Sequence, residues 1–196
     1  MSLEASLSQV EQLAQYLKLL LKWNRHYNLI ADTDSESAVV VHILDSVSIL
    51  SLLHGERIVD VGTGAGLPGI PLAILCPQWR FTLVDSNGKK IRFIQQVIIE
   101  LGLKNVEAIQ SRIEEYRPPQ PFDTVTARAL ASVSEILRQA GHLSAPQGRC
   151  LLMKGKLPTP ELADLPASWQ LIATHSLTVP GLQAERHVID LRKALD

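Results

Sequence analysis

Cysteine is scarce in this chain. Cys76, before Pro77, and Cys150, inside an apolar run, are the only two, and neither has a neighbouring Cys or His at metal-ligand spacing. Both read as reduced packing residues, and no metal is expected. Apolar runs of membrane-spanning length are also missing, and the first residues, MSLEASLSQVEQ, carry no basic stretch leading into a hydrophobic one. The expectation is a cytoplasmic protein without a membrane partner. An excess of positive charge is the third absence, since 19 Lys and Arg stand against 20 Asp and Glu for a net charge of −1. Phosphate neutralisation by Lys and Arg supplies most non-specific affinity for nucleic acid. The balance therefore weighs against such a partner, unless cations cluster on one face or protein contacts share the work.

What is present is ordinary globular material, 196 residues with 46% hydrophobic and 20% charged, enough for one α/β domain with a sizeable core. Its organising stretch is residues 57–71, RIVDVGTGAGLPGIP, where an apolar run breaks into glycines and resumes as Leu72-Ala73-Ile74-Leu75. This reads as strand, tight turn and helix, in which glycines allow positive φ and let a ligand lie against bare backbone. The dinucleotide fingerprint G-x-G-x-x-G is not met, because the glycines are Gly62, Gly64 and Gly66 and Leu67 stands where its third glycine belongs. The phosphate loop fails too, for no Lys-Ser/Thr pair follows the glycines. An acidic residue, Asp60, precedes them, and a second, Asp85, ends the next apolar run (RFTLV) about twenty residues on, where a carboxylate can accept from ribose hydroxyls. A purely structural turn is the competing explanation. The ordered sequence of strand, glycines, helix, strand and Asp favours a nucleotide-type site.

Asp60 followed by G-x-G-x-G resembles the first motif of class I S-adenosylmethionine-dependent methyltransferases. The longer string DVGTGAGLPGIPLAI, with Val84-Asp85-Ser86 and Lys89-Lys90, resembles something narrower, the RsmG (GidB) family of bacterial 16S ribosomal RNA guanine 7-position methyltransferases. The resemblance extends over nearly the whole chain: Trp23-Asn24 with Asn28-Leu29, His42-Ile43-Leu44-Asp45-Ser46, Arg128-Ala129, Lys154-Gly155 and Glu185-Arg186. It implies a Rossmann-like α/β fold with a mostly parallel seven-stranded sheet, one antiparallel edge strand and N-terminal helices. It also implies a single methyltransferase domain over 1–196, with 1–54 as a helical cap and 55–196 as the cofactor-binding core. S-adenosylmethionine would be held by Gly62, Gly64, Leu67, Asp85, Ile113, Glu114 and Arg128, the last also the best catalytic candidate. Lys154 and Arg186 would meet substrate, which is 16S ribosomal RNA within the small subunit, and the protein is expected to be a monomer.

Read residue by residue, 7–29 is an amphipathic helix with Val10, Leu13, Leu17, Leu20 and Leu21 on one side. Its end is basic and aromatic (Lys18, Lys22, Trp23, Arg25, His26, Tyr27), suited either to gripping RNA or to a solvated helix end with the rings packed inward. Residues 32–37 read as a turn and 39–53 as a second helix. There His42 and Asp45 share a face, for acid–base work or, preferably, a supporting hydrogen bond. A helix beginning at Pro71, one over 89–101 capped by Gly102, strands over 105–109, 122–127 and 149–153, a helix over 132–143 and an antiparallel pair over 169–179 and 187–191 complete the reading. In methyltransferases of this architecture Ile113 would wall the adenine and Glu114 accept from its amino group; otherwise Glu114 and Glu115 only complement a helix dipole. No nucleophile triad or acid–base dyad stands out. Transfer to guanine nitrogen 7, which offers a free lone pair, needs none, so positioning and electrostatics would carry catalysis. A small-molecule methyltransferase with the same cofactor site and a non-catalytic ribosome-binding module are the alternatives.

Overall fold

The computed structural model describes residues 5–31, 35–128 and 130–194. The turn expected at 32–37 falls partly, and Ala129 of the Arg128-Ala129 pair wholly, outside these described residues. Seven strands form one sheet in the order β3-β2-β1-β4-β5-β7-β6: β1 Arg57–Val61, β2 Arg80–Asp85, β3 Val106–Gln110, β4 Phe122–Arg128, β5 Ser144–Lys154, β6 Trp169–Ser176 and β7 His187–Lys193. The first five run parallel, and β7 is antiparallel to both β5 and β6. The antiparallel pair expected at the sheet edge is thus present, with the reversed strand one place in from the edge strand β6. Strand order turns back at β1, which has β2 on one side and β4 on the other. That reversal opens the crevice where α/β sheets bind ligands.

Both faces of the sheet are covered, and the strands show why: β1 and β2 are almost continuously buried. Successive side chains point to opposite faces, so Ile58, Phe81, Leu83 and Leu151 join one core while Val59, Val84, Val125 and Leu152 join the other. Helices α4 (Gly69–Leu75) and α5 (Gly88–Leu101) build the first core with α1 (Leu7–Tyr27), and α6 (Val133–Ala140) lies on the second. The α4 helix begins two residues before Pro71, because the backbone of Gly69 is already held by Asp60. The expected helix over 39–53 is broken up. Helices α2 (Ser35–Ala38) and α3 (Asp45–Val47) flank a π-helical turn, Val39–Leu44, and a 3₁₀ turn covers Leu50–Leu52. A short α7, Thr159–Ala163, follows β5.

Helix α1 is fixed at both ends by side-chain chemistry. Ser6 and Gln9 form a capping box. Gln9 Nε2 also donates to the Ile74 and Leu75 carbonyls, and Gln12 Nε2 to that of Leu101, satisfying the C-terminal carbonyls of α4 and α5. At the other end Trp23 packs between Phe93 and Tyr27, with ring centroids 5.5 and 5.2 Å away. Trp23 therefore faces inward. Asn24 is buried, accepts from Ile30 N at 2.9 Å and donates to Ile30 O at 3.0 Å, while Asn28 takes φ +48 to end the helix. The Trp-Asn and Asn-Leu residues thus close a chain reversal. Because α1 starts at the end of α5 and finishes near its beginning, its exposed Lys22, Arg25 and His26 lie at the carboxyl end of the sheet.

Asn24→Ala removes both bonds to Ile30 and should destabilise the fold by about 1–3 kcal/mol. The urea midpoint measures it, and an unchanged midpoint would show that solvent satisfies Ile30 equally well.

Candidate active site

The glycine turn is held from two sides by carboxylates. Asp60, at the end of β1 and 1% exposed, accepts from Thr63 Oγ1 (2.5 Å) and Gly69 N (3.0 Å) on Oδ2 and from Thr126 Oγ1 of β4 (3.2 Å) on Oδ1. Burial pushes its carboxyl up to about 6 against the lowering pull of these bonds and of the Arg128 charge. Asp85, at the end of β2, accepts from Gly64 N (2.9 Å) on Oδ2 and Asn87 N (2.8 Å) on Oδ1. From below, the buried Tyr16 hydroxyl donates to Ala65 O at 2.8 Å, tying α1 to the turn. Gly62, Gly64 and Gly66 all have positive φ.

Beside this turn, at the switch point, lies a cavity of about 330 Å³ lined by Gly62, Asp85, Ser86, Ile113, Glu114 and Leu130, with Lys90, Ser111, Arg112 and Gln139. A Cβ on Gly62 would stand 2.5 Å from Leu130 Cδ1, so the Leu130 side chain lies against the bare backbone at the end of β1. At Gly64 an added Cβ would meet only the Gly62 carbonyl oxygen at 4.0 Å, leaving space above the turn. These features suit a ribose and an adenine. Each Asp85 oxygen keeps acceptor capacity beyond its one backbone donor, Ile113 supplies a buried apolar wall, and the Glu114 carboxylate stands at the rim, 47% exposed and 3.8 Å from Arg112.

Two residues expected at the cofactor, Leu67 and Arg128, do not line this cavity. Leu67 is 4% exposed and packs under the turn in the core with Ile70 and Ile94, because an apolar side chain there gains more from burial than from a polar cavity. Arg128 lines a second cavity of about 380 Å³ at the carboxyl ends of β4 and β5, with Val41, His42, Asp45, Met153, Lys154, Gly155 and Arg186. Its guanidinium is drawn there by Asp45 Oδ2 (3.2 Å) and Val41 O (3.1 Å). Asp45 Oδ1 accepts from Arg186 Nε at 2.9 Å, and Lys154 Nζ reaches Ala131 O at 2.5 Å and Glu161 Oε2 at 3.4 Å. Arg128, Lys154 and Arg186 are thus brought together, whereas Lys18, Lys22 and Arg25 stay exposed on α1. A further cavity of about 380 Å³, walled by Arg57, Arg80, Lys104 and Tyr116, sits at the opposite, amino end of the strands.

Several contributors carried no local signal. Thr126, Leu130 and Gln139 reach the turn or its cavity from distant segments, while Tyr16 was visible only as one more residue on the apolar side of α1.

The switch-point cavity, the positive-φ glycine turn and the carboxylate ending β2 define a class I, Rossmann-like methyltransferase fold. Solved structures agree: TrmN from Thermus thermophilus superposes with a TM-score of 0.60 at 20% identity, covering 76% of this chain and 47% of that one. A SAM-dependent methyltransferase from Thiobacillus denitrificans in complex with S-adenosyl-L-homocysteine gives 0.57 at 15% identity, covering 81% and 96%. Within that class the chain belongs to the GidB family, rRNA small subunit methyltransferase G, which it matches over residues 9–189. Relatives named ribosomal RNA small subunit methyltransferase G are 50% identical in Nitrosococcus oceani (98% of this chain, 90% of that one) and 51% identical in Aeromonas hydrophila (94% and 86%).

The raised carboxyl of Asp60 has a definite sign. A folded-state value above the unfolded one contributes stability that is complete below about pH 4 and is lost as pH rises through about 6. Replacing Asp60 with Asn removes that dependence. The stability of Asp60→Asn relative to the native chain should climb by up to about 3 kcal/mol between pH 4 and 7; a flat difference in denaturation midpoints would refute the assignment.

Proposed function

We propose that the protein transfers a methyl group from S-adenosylmethionine to nitrogen 7 of a guanine in 16S ribosomal RNA, acting as a cytoplasmic monomer on RNA folded within the small subunit. One observation carries the reading beyond family membership. Arg128, Lys154 and Arg186, with His42 and Asp45, come from four separated segments into one cavity at the carboxyl ends of β4 and β5. We read residues 1–196 as a single methyltransferase domain, with 1–54 the helical cap and 55–196 the core. No helix among the described residues is long and apolar enough to cross a membrane.

The chain's own groups divide between the two cavities. Gly62 and Gly64 offer bare backbone, Asp85 accepts from ribose hydroxyls, Ile113 walls the adenine and Glu114 accepts from its amino group. When bound, S-adenosylmethionine supplies an electrophilic methyl on sulfur, so that the nitrogen 7 lone pair forms the new bond as the carbon–sulfur bond breaks, with no proton to remove. Residues around the second cavity need only hold the base in line and balance the positive charge it gains. Arg128 contributes there by positioning Asp45 and the chain at Val41. Since the net charge is −1, phosphate contacts alone give modest affinity, which favours a pre-folded particle over naked RNA.

Radiolabelled S-adenosylmethionine tests the activity directly, offered with small subunits from cells lacking this gene, with naked ribosomal RNA and with small-molecule acceptors. Label is expected at a guanine in the subunits; label in a small molecule alone would replace this reading. For the cofactor site, Asp85→Ala should weaken binding by about 1.5–3 kcal/mol. Gly64→Val and Gly102→Val form a matched pair, with φ of +61° and +63° and so a similar strain of about 1–2 kcal/mol. Calorimetry should find cofactor binding lost only in the first, because Gly102 caps α5 away from the cavity. Equal losses would mean strain, not obstruction, decides.

A further inference from the structure

The cavity at the ends of β4 and β5 contains a carboxylate with capacity to spare. Asp45 takes one donor on each oxygen, Arg186 Nε at 2.9 Å and Arg128 Nη1 at 3.2 Å. A carboxylate offers about four acceptor positions, so each oxygen keeps one. The cations around it have partners of their own as well: Arg128 also donates to Val41 O, Arg186 to Glu185 O, and Lys154 to Ala131 O with Glu161 beside it. Val41 and Met153 add apolar wall, and the volume of about 380 Å³ exceeds what a phosphate alone would fill. A flat heterocycle with donors on one edge can use these open acceptor positions, which an anion without donors cannot.

We propose that this cavity receives the acceptor base and that Asp45 determines the choice of guanine, accepting from its N1–H and exocyclic N2–H. The proposal rests on the methyltransferase reading above. Those two donors lie on the purine edge remote from nitrogen 7, so a base held by Asp45 presents nitrogen 7 on its far side. Adenine would turn an unprotonated N1 toward the carboxylate and set lone pair against lone pair. Discrimination of this kind is strong because the wrong base leaves a buried charged acceptor opposed rather than paired. The same contact favours the reaction. As nitrogen 7 bonds to the methyl and positive charge spreads over the purine, N1–H becomes a stronger donor, so the bond to Asp45 tightens in the transition state.

The test titrates GMP, IMP and AMP into the native protein saturated with S-adenosylhomocysteine, followed by calorimetry. GMP should bind tightest and AMP weaker by roughly tenfold or more, with IMP, which keeps N1–H and lacks the amino group, in between. Asp45→Asn should keep its affinity for S-adenosylhomocysteine while the GMP-to-AMP ratio falls toward one. Equal binding of the three nucleotides by the native protein, as expected of a site that reads only phosphate, would overturn the proposal, and so would no binding of GMP. A variant that retains the GMP preference would overturn it too. If Asp45→Asn does not fold, the native series decides alone. Failure of the native protein to bind S-adenosylhomocysteine at all would remove the underlying reading and the proposal with it, an outcome visible before any nucleotide is added.

Discussion

The buried carboxylate of Asp60 is the contact on which the rest depends. It ties the end of β1 to three places at once: the start of the glycine turn through Thr63, the start of α4 through Gly69, and, besides the ladder pairing, the neighbouring strand β4 through Thr126. A charge in such a place is costly unless hydrogen-bonded. Here three donors converge on it, yet desolvation still dominates and keeps its carboxyl raised. The geometry of the turn is therefore maintained against an opposing term. Asp85 restrains the other side of the same turn through Gly64, with Lys90 3.7 Å from the same oxygen, and lines the switch-point cavity as Asp60 does not.

The helices outside the sheet serve the same centre. The phenol of Tyr16 reaches Ala65 within the turn, and Gln9 and Gln12 of the same helix cap α4 and α5, the two helices that begin beside the glycines and Asp85. Removing α1 would leave those carbonyls and Ala65 O without these donors as well as baring Phe93. The π-helical turn over Val39–Leu44 has a comparable effect on the second cavity. It widens the helix just before Asp45, whose N–H bonds back to Val40 O, and sets that carboxylate between Arg128 at the end of β4 and Arg186 just before β7.

How much of this was legible in the sequence follows from the range of each interaction. The glycine turn, the carboxylate closing β2, the α5 helix ending at Gly102 and the antiparallel C-terminal pair are local patterns, and each stands close to where periodicity and turn chemistry put it. Side-chain direction within the turn was not legible: the side chain of Leu67 lies in the core. The setting of Arg128 was hidden for another reason: its partner Asp45 lies 83 residues away and Arg186 lies 141 from the same carboxylate, so no local pattern could show that the three form one cluster. The family resemblance named these residues without saying that they meet. Start points slipped where a tertiary bond overrode local preference, as at Gly69.

Charge balance also changes meaning once the cluster is seen. A net charge of −1 counted against an RNA partner when read as a sum. In the fold, several cations nearest the site are committed internally, Arg128 and Arg186 to Asp45 and Lys154 to Glu161, while Lys22 and Arg25 on α1 remain exposed at the same end of the sheet. The paired cations form part of the cavity wall, and the exposed ones supply a limited, salt-sensitive attraction. An enzyme arranged in this way gains little from long-range steering and must rely on fit. That follows from a reaction in which the nucleophile needs no activation: with no proton to remove, the remaining barrier lies in placing a base against the methyl group and in the charge it then acquires, and both are matters of fixed geometry in a cavity.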